Sequence, residues 1–367
     1  MATITKIGLL MVDLTPETRR EDAIQAFINQ ETPIVRIHDS DGATGNGYTY
    51  TIGTGGSSVI ALLRDHLLPQ LIGQNPDYIS KIWRFLYYST HATSVGTITS
   101  LAMAAIDTAL WDLRCQKVNL PLHQLAGGAK EEIGIYTTEG GLLHKETSEL
   151  VEDALSVQEA GFGGSKIKVG RPHVAEDIKR LQAVREAAGD SYEIMTDGNQ
   201  SFTVAEAIRR ARMMEPLDIA WFEEPLLAHD INGHKRLSAS TTLPIGVGES
   251  IYTPHHFGEY LQNDACPIAQ ADVARVGGIT PWLKIAHLTE TFNVSISPHF
   301  LMELHVSLCC AVTNSQWVEY IPQLNSVTQS TMTINNGLAK PPSTPTIGID
   351  WDWQQIEKQT ILHEHLN

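Results

Sequence analysis

The chain has 367 residues, of which 42% are hydrophobic and 19% charged, and this composition predicts two folded domains or one barrel with additions. The net charge of −16 offers no positive surface to nucleic acid or to an anionic membrane, so neither is an expected partner. Four sparse cysteines without C-x-x-C spacing disfavour a disulfide framework, and no apolar run reaches the roughly 20 residues that span a bilayer. We therefore expect a cytoplasmic protein of metabolism.

Residues 1–128 predict an α+β domain in which strands precede helices. Apolar and β-branched residues mark strands at 7–12 and 33–37, and a turn sequence leads to a third strand at 47–51. Between 57 and 113, apolar residues recur at three- and four-residue spacing, which is typical of helices.

After residue 128, short apolar runs alternate with amphipathic helical stretches. The runs occupy residues 133–136, 166–169, 192–195, 219–222, 245–247, 268–270, 294–296 and 317–318. This alternation predicts a modified β/α barrel over 129–325. The rival, a doubly wound open sheet, usually carries a glycine-rich phosphate turn that this sequence lacks. Residues 326–367 are expected to return to the first domain.

A polar residue that could carry chemistry stands at the end of seven of these runs. Taken singly, each is explained by a turn, a helix N-cap or a solvated face. The positions are, however, 20 to 29 residues apart, the length of one strand–helix unit, and a barrel brings all strand carboxyl ends to one face. We therefore predict one cleft that contains Lys166, Lys168, Asp197, Glu223, Glu249, Asp272, His299 and Glu319.

The residue types in this cleft indicate magnesium chemistry. Asp197, Glu223 and Glu249 offer only carboxylate oxygens, and a hard divalent cation such as Mg²⁺ relieves their mutual repulsion, whereas zinc favours His or Cys. Lys168 and His299 would flank the metal as two bases. Such an arrangement suits the removal of a proton α to a carboxylate and the stabilisation of the resulting enediolate.

Two neighbouring residues are expected to tune these bases. Asp272 is placed by strand order to hydrogen-bond His299 and raise its basicity. The positive charge of Lys166 is expected to lower the pKa of Lys168 towards neutrality, as like charges do.

The same residues resemble the enolase superfamily, mandelate racemase subgroup, and the likeness covers essentially the whole chain. The matching segments are Lys166-Ile-Lys168, Asp197-Gly-Asn199, Glu223-Glu-Pro225, Gly248-Glu249, Asp272 with Gly277-Gly278, Ser297-Pro-His299 and Trp317-Val-Glu319. Enolase-type sites use a Lys or His base with Mg²⁺. The resemblance implies a capping domain over the barrel and a small carboxylate substrate, and we expect a homo-oligomer.

The resemblance also implies a role for each residue of the cleft. It implies that Mg²⁺ binds Asp197, Glu223 and Glu249, and that the acid/bases on opposite faces of the substrate are Lys168 and the pair His299–Asp272.

Four further residues are implied to lie around the substrate. Lys166 and Glu319 would contact its carboxylate, with a protonated Glu319 as one option, and Asn199 would contact the substrate or the metal shell. Arg275 occupies a position where family members keep a cation near the lysines.

Substrate choice would depend on capping-domain loops at 13–20 and 47–56, which close the barrel mouth in such proteins. Candidate contacts there are Arg19 or Arg20, Tyr48 and Tyr50, although ordinary turn and strand packing explains them equally well. Residues 163–170 and 298–305 resemble galactarate and talarate dehydratases, whereas 47–56 resembles cycloisomerases of anhydro-sugar acids. The substrate therefore stays open.

Three functions compete at this stage. An acid-sugar dehydratase, our principal expectation, would remove the α-proton and then the β-hydroxyl, with His299 as acid, to give a 2-keto-3-deoxy acid. A racemase, epimerase or cycloisomerase would use the same enolate without loss of water. A non-catalytic binding protein would need a broken catalytic set, and the sequence shows none.

Overall fold

The computed structural model describes residues 2–14, 20–21, 26–27, 29–93 and 96–366. Its N-terminal part runs from strands into helices. The strands are β1 (Ile4–Asp13), β2 (Arg20–Glu21), β3 (Ala26–Phe27), β4 (Gln30–Asp39), β5 (Thr44–Tyr48) and β6 (Thr51–Ile52). The α-helices are α1 (Gly56–Leu62), α2 (Ile79–Ser89), α3 (Thr97–Val118) and α4 (Leu122–Leu125).

The N-terminal strands form an antiparallel sheet. β1 pairs with β4, with Leu9 opposite Val35, and β4 pairs in turn with β5. The tight turn between β4 and β5 is fixed by Asp39, whose carboxylate accepts the backbone N–H groups of Asp41 and Ala43 at 3.0 and 2.9 Å. The sequence predicted to form a turn therefore does so through hydrogen bonds from the backbone to Asp39.

Helix α3 lies directly against β5 because β5 has glycine at both points of contact. A Cβ atom at Gly47 would lie 2.2 Å from the amide nitrogen of Ala109, and one at Gly45 would lie 2.1 Å from the carbonyl oxygen of Ala109. No larger residue fits this approach without moving the helix backbone. The contact fixes the path of the chain that leads to Tyr48 and Tyr50.

We expect Gly47→Ala to lower the free energy of unfolding, because the added methyl group meets backbone atoms that cannot rotate away. The expected loss is about 1–3 kcal/mol, the usual cost of overpacking a core. Thermal unfolding followed by circular dichroism measures it. Gly258→Ala is the matched control, since its Cβ would find its nearest neighbour 3.8 Å away in a helix. An unfolding temperature that Gly47→Ala leaves unchanged would contradict this account.

The chain then forms eight strands that alternate with seven helices. The strands are β7 (Ile133–Thr137), β8 (Gly164–Lys168), β9 (Glu193–Asp197), β10 (Ile219–Glu223), β11 (Ile245–Val247), β12 (Ile268–Ala269), β13 (Ser295–Ile296) and β14 (Trp317–Tyr320). The helices are α5 (Thr147–Glu159), α6 (Val174–Ala188), α7 (Val204–Met214), α8 (Ile231–Ser238), α9 (Pro254–Gln262), α10 (Ile279–Thr291) and α11 (Met302–Ala311). Each predicted apolar run overlaps one of these strands.

These strands form the predicted modified barrel. From β7 to β13 each strand pairs in parallel with the next one in the chain, and β14 pairs in parallel with β7. A single bridge between Ile296 and Ser315 joins the two ends of the series. Where a regular barrel would have an eighth helix, the chain forms a hairpin of β15 (Ile334–Asn335) and β16 (Leu338–Ala339).

The last segment contacts both parts of the molecule. β16 pairs with β7 of the barrel, with Leu338 opposite Gly134. After α12 (Trp353–Gln359), strand β17 (Thr360–Leu366) pairs antiparallel with β1. The domain boundaries at 128 and 325 stay a prediction. In the described part of the chain, no helix is both long enough and apolar enough to cross a membrane.

Helix α3 ties the N-terminal part to the barrel. Asp107 on α3 accepts the backbone N–H of Thr280 at 2.8 Å and its hydroxyl at 2.7 Å, which caps the first turn of α10. The indole N–H of Trp111 donates to the same hydroxyl at 3.0 Å. These contacts hold the N-terminal helices beside the loop that follows β12.

Candidate active site

Three carboxylates meet at the carboxyl ends of neighbouring barrel strands. Asp197 and Glu223 end β9 and β10 and lie opposite each other in the ladder, and Glu249 follows β11. One oxygen of each carboxylate lies within 4.8 Å of the corresponding oxygens of the other two. The structure therefore brings together the three acids that the sequence singles out.

This donor set fits a magnesium ion. All three donors are carboxylate oxygens, with no His or Cys among them, as a hard cation prefers. Burial raises the pKa of Glu223 to about 7, even though the nearby Lys166 ammonium opposes the shift. Burial therefore disfavours an ionised Glu223, and a divalent cation held by the three carboxylates would supply positive charge that offsets this effect.

Donors around the triad fix its orientation. Lys166 Nζ lies 2.6 Å from Glu223 Oε1, and the indole N–H of Trp221 donates to Glu223 Oε2 at 3.1 Å. The side-chain amide of Gln270 donates to the same oxygen. The backbone N–H of Asn199 donates to Asp197 Oδ1 at 2.9 Å. These bonds hold the carboxylates of Glu223 and Asp197 in place at the edge of the triad.

Lys168 lies against the first of the three acids. Its Nζ is 2.5 Å from Asp197 Oδ2. Burial and the charge of Lys166 favour the neutral amine, but the Asp197 carboxylate outweighs them and raises the pKa of Lys168 above its ordinary value. The prediction that the pKa of Lys168 falls towards neutrality is therefore wrong for the protein groups alone, because it considered Lys166 but not the charge of Asp197.

His299 and Asp272 form the predicted pair. His299 Nδ1 lies 2.9 Å from Asp272 Oδ2, and His299 Nε2 lies 3.5 Å from Glu249 Oε2. Burial by itself would lower the pKa of His299, but the carboxylates of Glu249 and Asp272 raise it. Although burial also disfavours an ionised Asp272, its hydrogen bond to His299 lowers the pKa of Asp272 to about 2.

The two candidate bases reach the triad from different sides. Lys168 ends β8, which borders β9, whereas His299 follows β13 at the far end of the strand order. The strands that carry the three acids lie between them. This placement agrees with bases on opposite faces of a substrate.

Lys166 bridges two acids in the interior. Its Nζ is 2.6 Å from Glu223 Oε1 and 2.7 Å from Glu319 Oε1. Glu319 also accepts the backbone N–H of Phe300 at 2.8 Å and contacts the hydroxyl of Thr138. Burial alone would favour the neutral acid, but the charge of Lys166 lowers the pKa of Glu319 below its ordinary value. These neighbours favour the ionised form of Glu319, and its role towards the substrate stays a prediction.

The two tyrosines expected to contact the substrate have different surroundings in the structure. Tyr48 is buried, and its ring packs edge-on against Trp351 with 5.5 Å between ring centroids. Tyr50 instead contacts Asp272, and it also accepts a hydrogen bond from Arg275. The substrate role of Tyr48 and Asn199 stays a prediction. Arg19 lies outside the described residues, as does the side chain of Arg20.

Arg275 contacts two acids on the His299 side of the site. Its Nη1 donates to the backbone oxygen of Glu249 at 2.8 Å and lies 3.4 Å from Glu249 Oε1. Its Nε lies 3.9 Å from Asp272 Oδ2. The guanidinium thus joins Glu249 to Asp272, and a position near the lysines stays a prediction.

Sequence reasoning missed a fourth acid beside the triad. Glu224 is buried with φ +34°, and its Oε2 accepts from the amide of Gln200 at 2.8 Å and lies 3.3 Å from the hydroxyl of Ser250. Burial and the neighbouring Glu249 raise the pKa of Glu224 well above its ordinary value. The only signal was its place in the segment Glu223-Glu-Pro225.

Two families of known proteins match the chain. Residues 9–127 match the mandelate racemase/muconate lactonizing enzyme N-terminal domain, and residues 149–355 match the enolase C-terminal domain-like family. The chain belongs to the mandelate racemase/muconate lactonizing enzyme family of the enolase superfamily. The N-terminal part is thus the family's capping domain, and the strand-end residues lie on the barrel beneath it.

Several characterised members of this family are similar to the chain along most of its length. L-talarate/galactarate dehydratase of Salmonella typhimurium is 36% identical over 83% of this chain and 76% of its own. 3,6-Anhydro-alpha-L-galactonate cycloisomerase of Streptomyces coelicolor is 33% identical over 94% and 96%. The crystal structure of L-talarate dehydratase from Polaromonas sp. JS666 with Mg and L-glucarate superposes with a TM-score of 0.96, covering 100% of both chains at 33% identity.

Proposed function

We propose that this family member is a magnesium-dependent acid-sugar dehydratase that converts an aldonate or aldarate into a 2-keto-3-deoxy acid. The observation that carries the proposal is the carboxylate triad with Lys168 on one side and the His299–Asp272 pair on the other. The similarity to talarate and galactarate dehydratases supports the substrate class.

Lys168 and His299 account for the two proton transfers of the elimination. Mg²⁺, when bound by Asp197, Glu223 and Glu249, supplies positive charge that stabilises the negative charge developing on the substrate carboxylate. Lys168 takes the α-proton as the α C–H bond breaks. His299 Nε2 gives a proton to the β-hydroxyl, which leaves as water as the β C–O bond breaks. The resulting enol releases its O–H proton and takes a proton from solvent at its β-carbon, which gives the 2-keto acid.

Lys168 needs a change in its surroundings before it can act as that base. Asp197 Oδ2 holds its ammonium at 2.5 Å and raises its pKa. A cation held by Asp197 would weaken this attraction, because both positive groups would share one carboxylate. Lys166, which bridges Glu223 and Glu319, remains as a fixed positive charge for the substrate carboxylate.

A panel of mono- and diacid sugars, assayed with Mg²⁺, tests the proposal. We expect a 2-keto acid product that has lost one water, together with solvent deuterium at the β-carbon when the assay is run in heavy water. Deuterium uptake at the α-carbon without keto acid would contradict dehydration and indicate a racemase or epimerase. No turnover and no exchange on any acid sugar would contradict the whole proposal.

A cycloisomerase is the second candidate function. The anhydro-galactonate cycloisomerase aligns with 94% of this chain and 96% of its own, a wider match than that of the talarate/galactarate dehydratase. In such a reaction the β C–O bond that breaks lies within a ring, so no water is lost. A keto acid product of unchanged mass from an anhydro-sugar acid would favour this function over dehydration.

We also infer that the protein acts in the cytoplasm as a homo-oligomer. Three aromatic residues on or next to α2 are strongly exposed, namely Tyr78 (54%), Phe85 (40%) and Tyr88 (58%). Exposed aromatic patches are typical of subunit interfaces. Light scattering after size exclusion should give a molar mass that is a multiple of the mass of one chain. A molar mass of one chain at high protein concentration would contradict the inference. Cell fractionation tests the compartment.

A further inference from the structure

We propose that Tyr50 of the capping domain is a positioning residue that orients the acid/base pair His299–Asp272, a role that rests on the proposed function. The side chain crosses from the capping domain to the barrel, and its hydroxyl donates to Asp272 Oδ2 at 2.6 Å. The domain that covers the barrel therefore takes a direct part in holding the catalytic histidine.

Among the residues that the structure describes, four groups donate hydrogen bonds to the carboxylate of Asp272. The backbone N–H groups of Ala274 and Arg275 donate to Oδ1 at 2.8 and 3.1 Å. Tyr50 and His299 share Oδ2, at 2.6 and 2.9 Å. The backbone bonds fix one oxygen, and Tyr50 is the side chain that holds the other in place for the histidine.

Arg275 fixes the direction of the Tyr50 hydroxyl. Its Nε donates to that oxygen at 3.0 Å, and a guanidinium can only donate, so the tyrosine's own hydrogen must point to Asp272. The same arginine donates to the backbone oxygen of Glu249 at 2.8 Å. An uninterrupted chain of bonds therefore runs from the metal ligand Glu249 through Arg275 and Tyr50 to Asp272.

These linked hydrogen bonds determine which nitrogen of His299 is available for proton transfer. Because Asp272 is held as an acceptor, Nδ1 must donate to it, and Nε2 is left facing the triad, 3.5 Å from Glu249 Oε2. Without the hydroxyl, Oδ2 would lose one of its two donors and the carboxylate could rotate about its remaining bonds. The histidine would then hold its orientation less tightly.

The surroundings of Tyr50 argue against its expected role as a substrate contact. The residue is 2% exposed, and its ring packs against Phe300 with 4.8 Å between ring centroids. Its hydroxyl already donates one hydrogen bond and accepts another. A group with this burial and these partners is suited to holding Asp272 and not to recognising a sugar hydroxyl.

Tyr50→Phe tests the proposal, with Tyr260→Phe as the matched control. Tyr260 is equally buried, and its hydroxyl also makes a 2.6 Å hydrogen bond, but to the backbone oxygen of Ala228. With the magnesium-loaded enzyme, we expect Tyr50→Phe to slow keto acid formation about tenfold or more, the usual effect of one lost bond to a charged group. Exchange of the α-proton by Lys168 in heavy water should stay near the wild-type rate, and the control should change neither.

Two kinetic results would overturn the proposal. One is keto acid formation at the wild-type rate, and the other is an equal fall in elimination and exchange, which a merely structural role would produce. The ¹⁵N spectrum of the His299 ring gives a readout that needs no substrate. In the neutral ring, before it gains the Nε2 proton used in catalysis, we expect the Nδ1–H tautomer to dominate in the wild type and a mixture in Tyr50→Phe. An unchanged spectrum would overturn the role even if the wild type turned over no acid sugar.

Discussion

Replacing His299 by Asn should abolish dehydration while leaving α-proton exchange in place. Asn keeps some hydrogen bonding to Asp272 but can neither accept nor give the proton that the leaving hydroxyl needs. Keto acid formation should fall by about 10²–10⁴-fold, the usual contribution of a positioned acid/base. Lys168 is untouched on the other side of the triad, so deuterium exchange in heavy water should persist.

The reciprocal variant makes the assignment specific. Lys168→Met keeps the length of the side chain but removes the amine, so both exchange and dehydration of the same stereoisomer should be lost. His234→Asn is the folding control, since His234 is fully buried in α8 and bonds the backbone oxygen of Asp230, away from the site. A His299→Asn enzyme that forms keto acid at a normal rate would show that another group is the acid.

Glu223→Gln should cripple magnesium binding. Even the hydrogen-bond partners of metal ligands contribute about 10–100-fold to metal affinity, so loss of a charged ligand should cost at least about 100-fold. Isothermal titration with Mg²⁺ measures the affinity directly. Treatment of the wild type with a chelator should abolish turnover, and added Mg²⁺ should restore it.

Glu303→Gln gives the metal experiment its control. Glu303 is also a buried carboxylate, and burial raises its pKa to about 7, as it does for Glu223, but it lies outside the triad. A general effect of neutralising a buried acid would appear in both variants. If Glu223→Gln binds magnesium as tightly as the wild type, Glu223 is not a metal ligand.

The barrel and its cluster of acids could be predicted because they depend on periodicity. Parallel strands in a barrel end at one face, so regular spacing alone places Asp197, Glu223 and Glu249 together once the fold is known. The short β12 and β13 were also found, since their apolar runs lie at the expected intervals. No knowledge of side-chain contacts was needed for either step.

Contacts between the two domains could not be predicted in this way. The bond from Tyr50 to Asp272 joins residues 222 positions apart, and no spacing rule relates a capping strand to a barrel loop. The direction of the pKa shift of Lys168 was predicted wrongly for a similar reason, because it depends on which acid lies nearest in space. Gln270 and Thr138 were missed because their partners, Glu223 and Glu319, lie on other strands.

The pairing of β17 with β1 has a consequence for how the protein is made. During synthesis, β1 leaves the ribosome before the barrel, and the strand that covers its edge leaves after the barrel. One edge of β1 therefore waits with unfilled backbone hydrogen bonds while more than three hundred residues are added. The barrel can close before the sheet that precedes it in the chain is complete, and until then the open edge of β1 is a site that chaperones would protect.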